Sequence, residues 1–109
     1  MIDDPETVAR LMDQMQAHLP ISALPTSALV RTLRQQGLKI GTERALFIKH
    51  VHYLGDEGGI MCDVTPTDDA KAVYVVSLTH LRIAPGHPLF RDIRAYQRVR
   101  VQRIAESGQ

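Results

Sequence analysis

The sequence predicts an α+β fold of order α-α-β-β-β-α, and three patterns predict it. Apolar residues recur at helical spacing from Val8 to Leu19, the period drops to two from Leu46, and helical spacing returns from Leu89 to Ile104. Glycine- and proline-rich breaks separate these stretches. At 109 residues there is room for one core, so 1–109 reads as a single α+β domain.

The first helix opens on Asp4 as N-cap, with Pro5 at its first position and Glu6 complementing the positive end of the helix dipole. Val8, Leu11, Met12, Met15 and Leu19 form its apolar stripe, and Pro20 closes it. Residues 21–25 read as a connector. Thr26 or Ser27 caps a second, shorter helix with Leu29, Val30 and Leu33 on one side, and Gly37 marks its stop.

From Leu46 to Leu54 side chains alternate, and Gly55-Asp56-Glu57-Gly58-Gly59 turns the chain back into Ile60–Thr65. A four-residue loop, Gly55–Gly58, pairs Leu54 with Gly59, Val51 with Cys62 and His50 with Asp63. One face of the hairpin then carries Phe47, Val51, Tyr53, Ile60, Cys62 and Val64, with Lys49 at its margin. The other carries Ile48, His50, His52, Leu54, Met61, Asp63 and Thr65. The first is the core face, since each buried aliphatic or aromatic side chain contributes roughly 1.5–3 kcal/mol. A slip of one residue would reverse the assignment.

Thr65-Pro66-Thr67-Asp68-Asp69 reads as a loop, and β-branched Val73–Ile83 as a third strand that completes an antiparallel meander. After Pro85-Gly86 a last helix spans about 88–105. Leu89, Phe90, Ile93, Tyr96, Val101 and Ile104 lie on its apolar side and Arg91, Arg94 and Arg98 on the opposite side. Arg100 falls among the apolar residues, a mismatch that predicts fraying or departure from the body near Val99. Residues 98–101 also fit the alternation of a short strand; the period of the preceding ten residues favours helix.

Bulk properties exclude several classes. Thirteen Lys and Arg against twelve Asp and Glu give a net charge of +1, so any nucleic-acid partner must be met by local clustering. Cys62 is the single cysteine, which rules out an intrachain disulfide and a thiolate metal cluster within one chain. Buried on the core face, it reads as a small hydrophobe. The acidic start Met1-Ile2-Asp3-Asp4-Pro5 is unlike a secretory signal, and no apolar run approaches the ~20 residues that span a bilayer. The expected setting is the cytoplasm. With no Trp and 5% aromatics, the core is aliphatic and stacking platforms for bases are few.

No pattern names a reaction, and no catalytic residue or cofactor is expected. Asp56 and Glu57 sit in a solvated turn; Gly55-x-x-Gly58-Gly59 lacks the Lys-Ser/Thr of a phosphate loop. Ser77, Thr79 and His80 have no nucleophile elbow around them. Three readings remain. The leading one is a non-catalytic interaction or ligand-binding domain, self-associating or binding another protein through Ile48, His50, His52, Leu54, Met61 and Asp63. That face is too polar for a core and too apolar for a fully wetted surface. The second is nucleic-acid binding by Arg31 and Arg34 on the second helix and Arg91, Arg94 and Arg98 on the last, with Lys39, Arg44, Arg100 and Arg103 nearby. Helix–helix–hairpin order is similar to that of a winged helix, but the tip is acidic where a DNA-binding wing carries Lys or Arg. The third is a metal site of His50, His52 and Asp63, with His80 approaching, because histidines at i and i+2 on a strand share a face.

Overall fold

The computed structural model describes residues 2–66 and 72–107. It is an α+β fold with helices α1 (Pro5–His18), α2 (Ser27–Gln35) and α3 (Phe90–Ser107). Its strands are β1 (Ile21–Pro25), β2 (Leu46–Ile48), β3 (His50–Tyr53), β4 (Ile60–Asp63), β5 (Val75–Ser77) and β6 (Leu81–Ile83). No described helix is long and apolar enough to cross a membrane.

Local rules place the helices where the pattern puts them. The Asp4 carboxylate accepts from both the amide and the hydroxyl of Thr7, at 3.1 and 2.6 Å, which holds its carboxyl below the usual carboxylate range. Thr26 caps α2 by accepting from the Leu29 amide, and Gly37 follows α2 with a φ of 95°. The apolar stripes Val8, Leu11, Met15 and Leu29, Val30, Leu33 are buried. Helix α1 packs on β3, α2 on β1, and α3 on β6 and the turn before it.

The strands depart from a three-stranded meander. They form two three-stranded antiparallel sheets, β2-β1-β6 and β3-β4-β5. The segment Ile21–Pro25, expected as a connector, is the central strand of the first sheet. The prolines at 20 and 25 read as breakers, yet Pro20 lies outside the strand and Pro25 is its last residue, beyond Ala23, where pairing with β2 ends. Only Lys49 separates β2 from β3, and a single 3-10 turn, Leu78–His80, separates β5 from β6. Pairing therefore runs in a closed circuit, from β1 to β2/β3, to β4, to β5/β6 and back to β1. The interior is filled by Ile21, Ala23, Leu46, Ile48, Ile60, Cys62, Val64, Val76, Leu81 and Ile83.

The break at Lys49 reverses an expected face. His50 pairs with Asp63, and the Lys49 amide also donates to the Asp63 carbonyl, at 2.9 Å. Two residues thus oppose one, as in a β-bulge, and the alternation shifts by one position. Beyond the bulge the expected register holds: Val51 pairs with Cys62 and Leu54 donates to the Gly59 carbonyl. Before it the faces exchange, so Ile48, assigned to the mixed outer face, is fully buried, while Phe47, assigned to the core, is 52% exposed. The expected third strand is likewise broken: the Ser77 hydroxyl caps the turn at Leu78–His80 and bonds to the Gly58 carbonyl at 3.1 Å. Residues 67–69 of the expected loop and the tail residues Gly108 and Gln109 lie outside the described residues.

Helix α3 neither frays at Val99 nor turns into strand; it continues to Ser107. Arg100 is buried at 3% exposure, whereas Val101 and Ile104, expected on the apolar side, are 56% and 43% exposed. The mismatch is resolved by an ion pair described below.

The phase change at Lys49 is open to direct measurement by urea denaturation. Ile48→Ala should cost about 2–5 kcal/mol, as for a buried large-to-small change. Phe47→Ala should stay within about 0.5 kcal/mol, as for an exposed position. An unbroken alternation would give the opposite order.

Candidate functional site

The outer face of β3-β4-β5 is built by cross-strand pairing. His50 lies beside Asp63, which lies beside Val75; His52 lies beside Met61, which lies beside Ser77. His50, His52, Leu54 and Val75 are exposed, the last two at 53% and 39%, and Met61, Asp63 and Ser77 are half-buried. Five of the six residues expected on this face are therefore brought together, and Ile48 is not. Val75 was missed because it depends on strand order, which alternation within one strand does not reveal.

The polar residues are already engaged. The His50 Nδ1 lies 3.3 Å from the Asp63 carboxylate. Partial burial pushes the Asp63 carboxyl up, but the hydroxyl and amide of Thr65 and the His50 ring outweigh it and hold it below the usual carboxylate range. Among the described residues no three His, Cys, Asp or Glu side chains converge on a point where a metal ion could sit. His50, His52 and Asp63 make no three-ligand set, and His80 stands exposed on the 3-10 turn. The Ser77 hydroxyl is held by Gly58 and Thr79. The Cys62 thiol points into the core, where burial pushes its pKa to about 12 and keeps it protonated at neutral pH.

Beneath the hairpin lies a buried polar cluster that sequence reading missed. The Asp3 carboxylate meets Arg100 Nη1 at 2.7 Å, with both side chains 3% exposed. Asp3 also accepts from the Tyr53 hydroxyl at 2.9 Å and from Tyr96 at 3.4 Å. Tyr96 in turn accepts the Ile60 amide at 2.9 Å, and Arg100 Nη2 donates to the Asp56 carbonyl at 2.8 Å. Burial, reinforced by the Asp3 carboxylate, pushes the Tyr53 hydroxyl to about 12. Gly59 admits this cluster: its φ is 67°, and an added Cβ would collide with the Tyr96 hydroxyl and lie 2.7 Å from Arg100 Nε. The one sequence signal was a charged residue on the apolar stripe of α3, whose partner lies ninety-seven residues away.

The basic candidates are exposed but dispersed. Arg31 and Arg34 stand on α2 and Arg91, Arg94 and Arg98 on α3. Of these, Arg94 alone lines a described cavity, a cleft of about 510 Å³ between β1, β6 and α3. A groove of about 630 Å³ between α1 and α3 has an apolar floor including Val8, Leu11 and Tyr96 and is walled partly by Asp3, Asp4 and Asp92. Comparison with protein-family models, with curated proteins and with solved structures finds no match to this chain.

Two outcomes follow from this geometry. Asp3→Asn or Arg100→Met alone should cost about 3–5 kcal/mol in urea denaturation, because each strands a buried partner, and the double variant should recover much of that loss. For Asp63 the folded pKa lies below the unfolded one, so its stabilisation is present above the unfolded value and lost as pH falls through the folded value. The stability gap between the wild type and Asp63→Asn should therefore narrow in denaturation below about pH 4.

Proposed function

We propose that this chain is a non-catalytic interaction module that self-associates through the outer face of β3-β4-β5. The observation that carries this reading is the patch over Gly58. A Cβ at that position would lie 2.8 Å from Met61 Sδ and 3.4 Å from Leu54 Cδ1, so the two side chains close over the glycine together. Leu54 nonetheless remains more than half exposed, and His52 and Val75 extend the patch along neighbouring strands.

Chemistry and rigidity both support this. An adaptable Met and an exposed Leu at the centre, bordered by hydrogen-bonded His50, Asp63 and Ser77, make an apolar core with a polar rim, the usual composition of a docking surface. The patch rests on a sheet whose other face is core, so little ordering cost accompanies association. Its candidate nucleophiles and acids are occupied by structural hydrogen bonds or burial, which favours binding over catalysis.

Light scattering or sedimentation across about 1–100 μM protein, a range that brackets a Kd near 10 μM, should show a concentration-dependent dimer. Leu54→Asp should shift it to monomer, because a carboxylate buried without a partner at the centre is costly. A wild-type chain that stays monomeric throughout would overturn the reading.

A further inference from the structure

We infer that a second surface, the outer face of β2-β1-β6 together with the flank of α3, binds single-stranded nucleic acid. The inference stands apart from self-association: the residues it varies, Phe47, Arg82 and Arg94, lie on the other sheet and on α3, and His50 borders both surfaces.

Pairing places the outward side chains. Phe47 on β2 lies beside Ser22 on β1, and Arg82 on β6 lies beside Leu24. All four point away from the core: Ser22, Phe47 and Arg82 are exposed and Leu24 is half-buried. Helix α3 adds Phe90, Arg94 and Gln97, which with Leu24 and Arg82 line the cleft of about 510 Å³. That volume is within the ~300–1,000 Å³ typical of ligand sites. Among the described residues no carboxylate lines it. Arg82 is pinned by one bond to the Thr42 carbonyl at 3.0 Å, which orients its guanidinium. The Gln97 amide nitrogen is committed to the Leu78 and Leu81 carbonyls, at 2.7 Å each. On the far side of Ser22 the surface continues into a shallow pocket bounded by Phe47, Lys49 and His50.

Phe47 with Lys49 and His50, and Arg82 with Arg94, therefore line two pockets linked by the pairing of Ser22 with Phe47. Phe47 is the exposed ring on this surface, while Phe90 is half-buried against the core at the edge of the cleft. An exposed ring on a sheet face is a stacking platform for any base, while guanidiniums bind the phosphates between bases. Phe47 and the two arginines lie in separate pockets, so a ligand that engages both spans more than one nucleotide, which favours a strand over a free nucleotide. An exposed ring on a sheet face meets an unstacked base, which a single strand supplies and a duplex does not. The net charge of +1 does not decide the matter, because local clustering does: Arg82 and Arg94 line this cleft, whereas Asp3, Asp4 and Asp92 line the α1–α3 groove.

The test is fluorescence polarisation with labelled single-stranded RNA and DNA oligonucleotides of about ten nucleotides, which span one small binding fold. Saturable binding at low salt is expected. With three or four phosphate contacts, affinity should fall roughly 20- to 50-fold between about 50 and 200 mM salt. The double variant Arg82→Ala/Arg94→Ala should flatten the log–log salt slope by about 1.4, two contacts' worth. Phe47→Ala should weaken binding roughly tenfold with the slope unchanged. The double variant Arg31→Ala/Arg34→Ala, on α2, should bind as the wild type. Circular dichroism confirms that each variant is folded, and these positions are exposed. No binding at low salt overturns the inference. So does binding insensitive to Arg82, Arg94 and Phe47, equal displacement by polyglutamate, or equal displacement by a mononucleotide.

Discussion

The ion pair between Asp3 and Arg100 is the constraint around which the rest of the structure is arranged. Taking two charges out of water costs several kcal/mol per ion, and the pair's attraction offsets that only when the remaining polar atoms are also satisfied. Here they are: two tyrosines donate to the carboxylate, and the second guanidinium nitrogen reaches the Asp56 carbonyl. No buried side-chain nitrogen or oxygen among the described residues lacks a partner. The cluster joins the segment before α1, the hairpin tip and the end of α3, elements that hydrophobic burial alone would not align. Since Tyr96 also receives the Ile60 amide, the same cluster fixes where β4 begins and so supports the register of the outer face.

A second constraint acts through the backbone. The extra residue at Lys49 and the turn at Leu78–His80 each bend a strand out of one sheet and into the other. Six short strands thereby enclose one core while presenting two outer faces of different chemistry. The β3-β4-β5 face carries Leu54, Met61, Val75 and two histidines. The β2-β1-β6 face carries Phe47, Arg82 and, from α3, Arg94. A continuous strand from Leu46 to Leu54 would have placed Phe47 on the core side and Ile48 among the histidines.

What could be read from the sequence follows the range of the interactions involved. The caps at Asp4 and Thr26, the α1 and α2 stripes and the four-residue turn at Gly55–Gly58 are decided within a few residues, and all were legible. The pairing of His50 with Asp63 was legible too, because a tight turn propagates its register along both strands. The bulge was not, since it leaves no mark in a run as uniformly apolar as Leu46-Phe47-Ile48. Strand β1 was hidden by its flanking prolines. Arg100 looked like an error in the α3 stripe because its partner, Asp3, is at the other end of the chain. Of the outer-face residues, those within the hairpin were found, and Val75, supplied by another strand, was not.

The two faces meet at Lys49 and His50. His50 pairs with Asp63 on one sheet and borders the pocket containing Phe47 on the other. This seam exists because the bulge rotates the chain between adjacent residues, so the exposed phenylalanine and the histidine face share a boundary without sharing a plane. A second copy seated on Leu54 and Met61 would therefore leave the arginine cleft open. Dimerisation would then present two such clefts on one particle, and a strand long enough to reach both would be held by effective concentration rather than by any new contact. The bulge that misplaces Phe47 for the core is thus what makes it available for stacking.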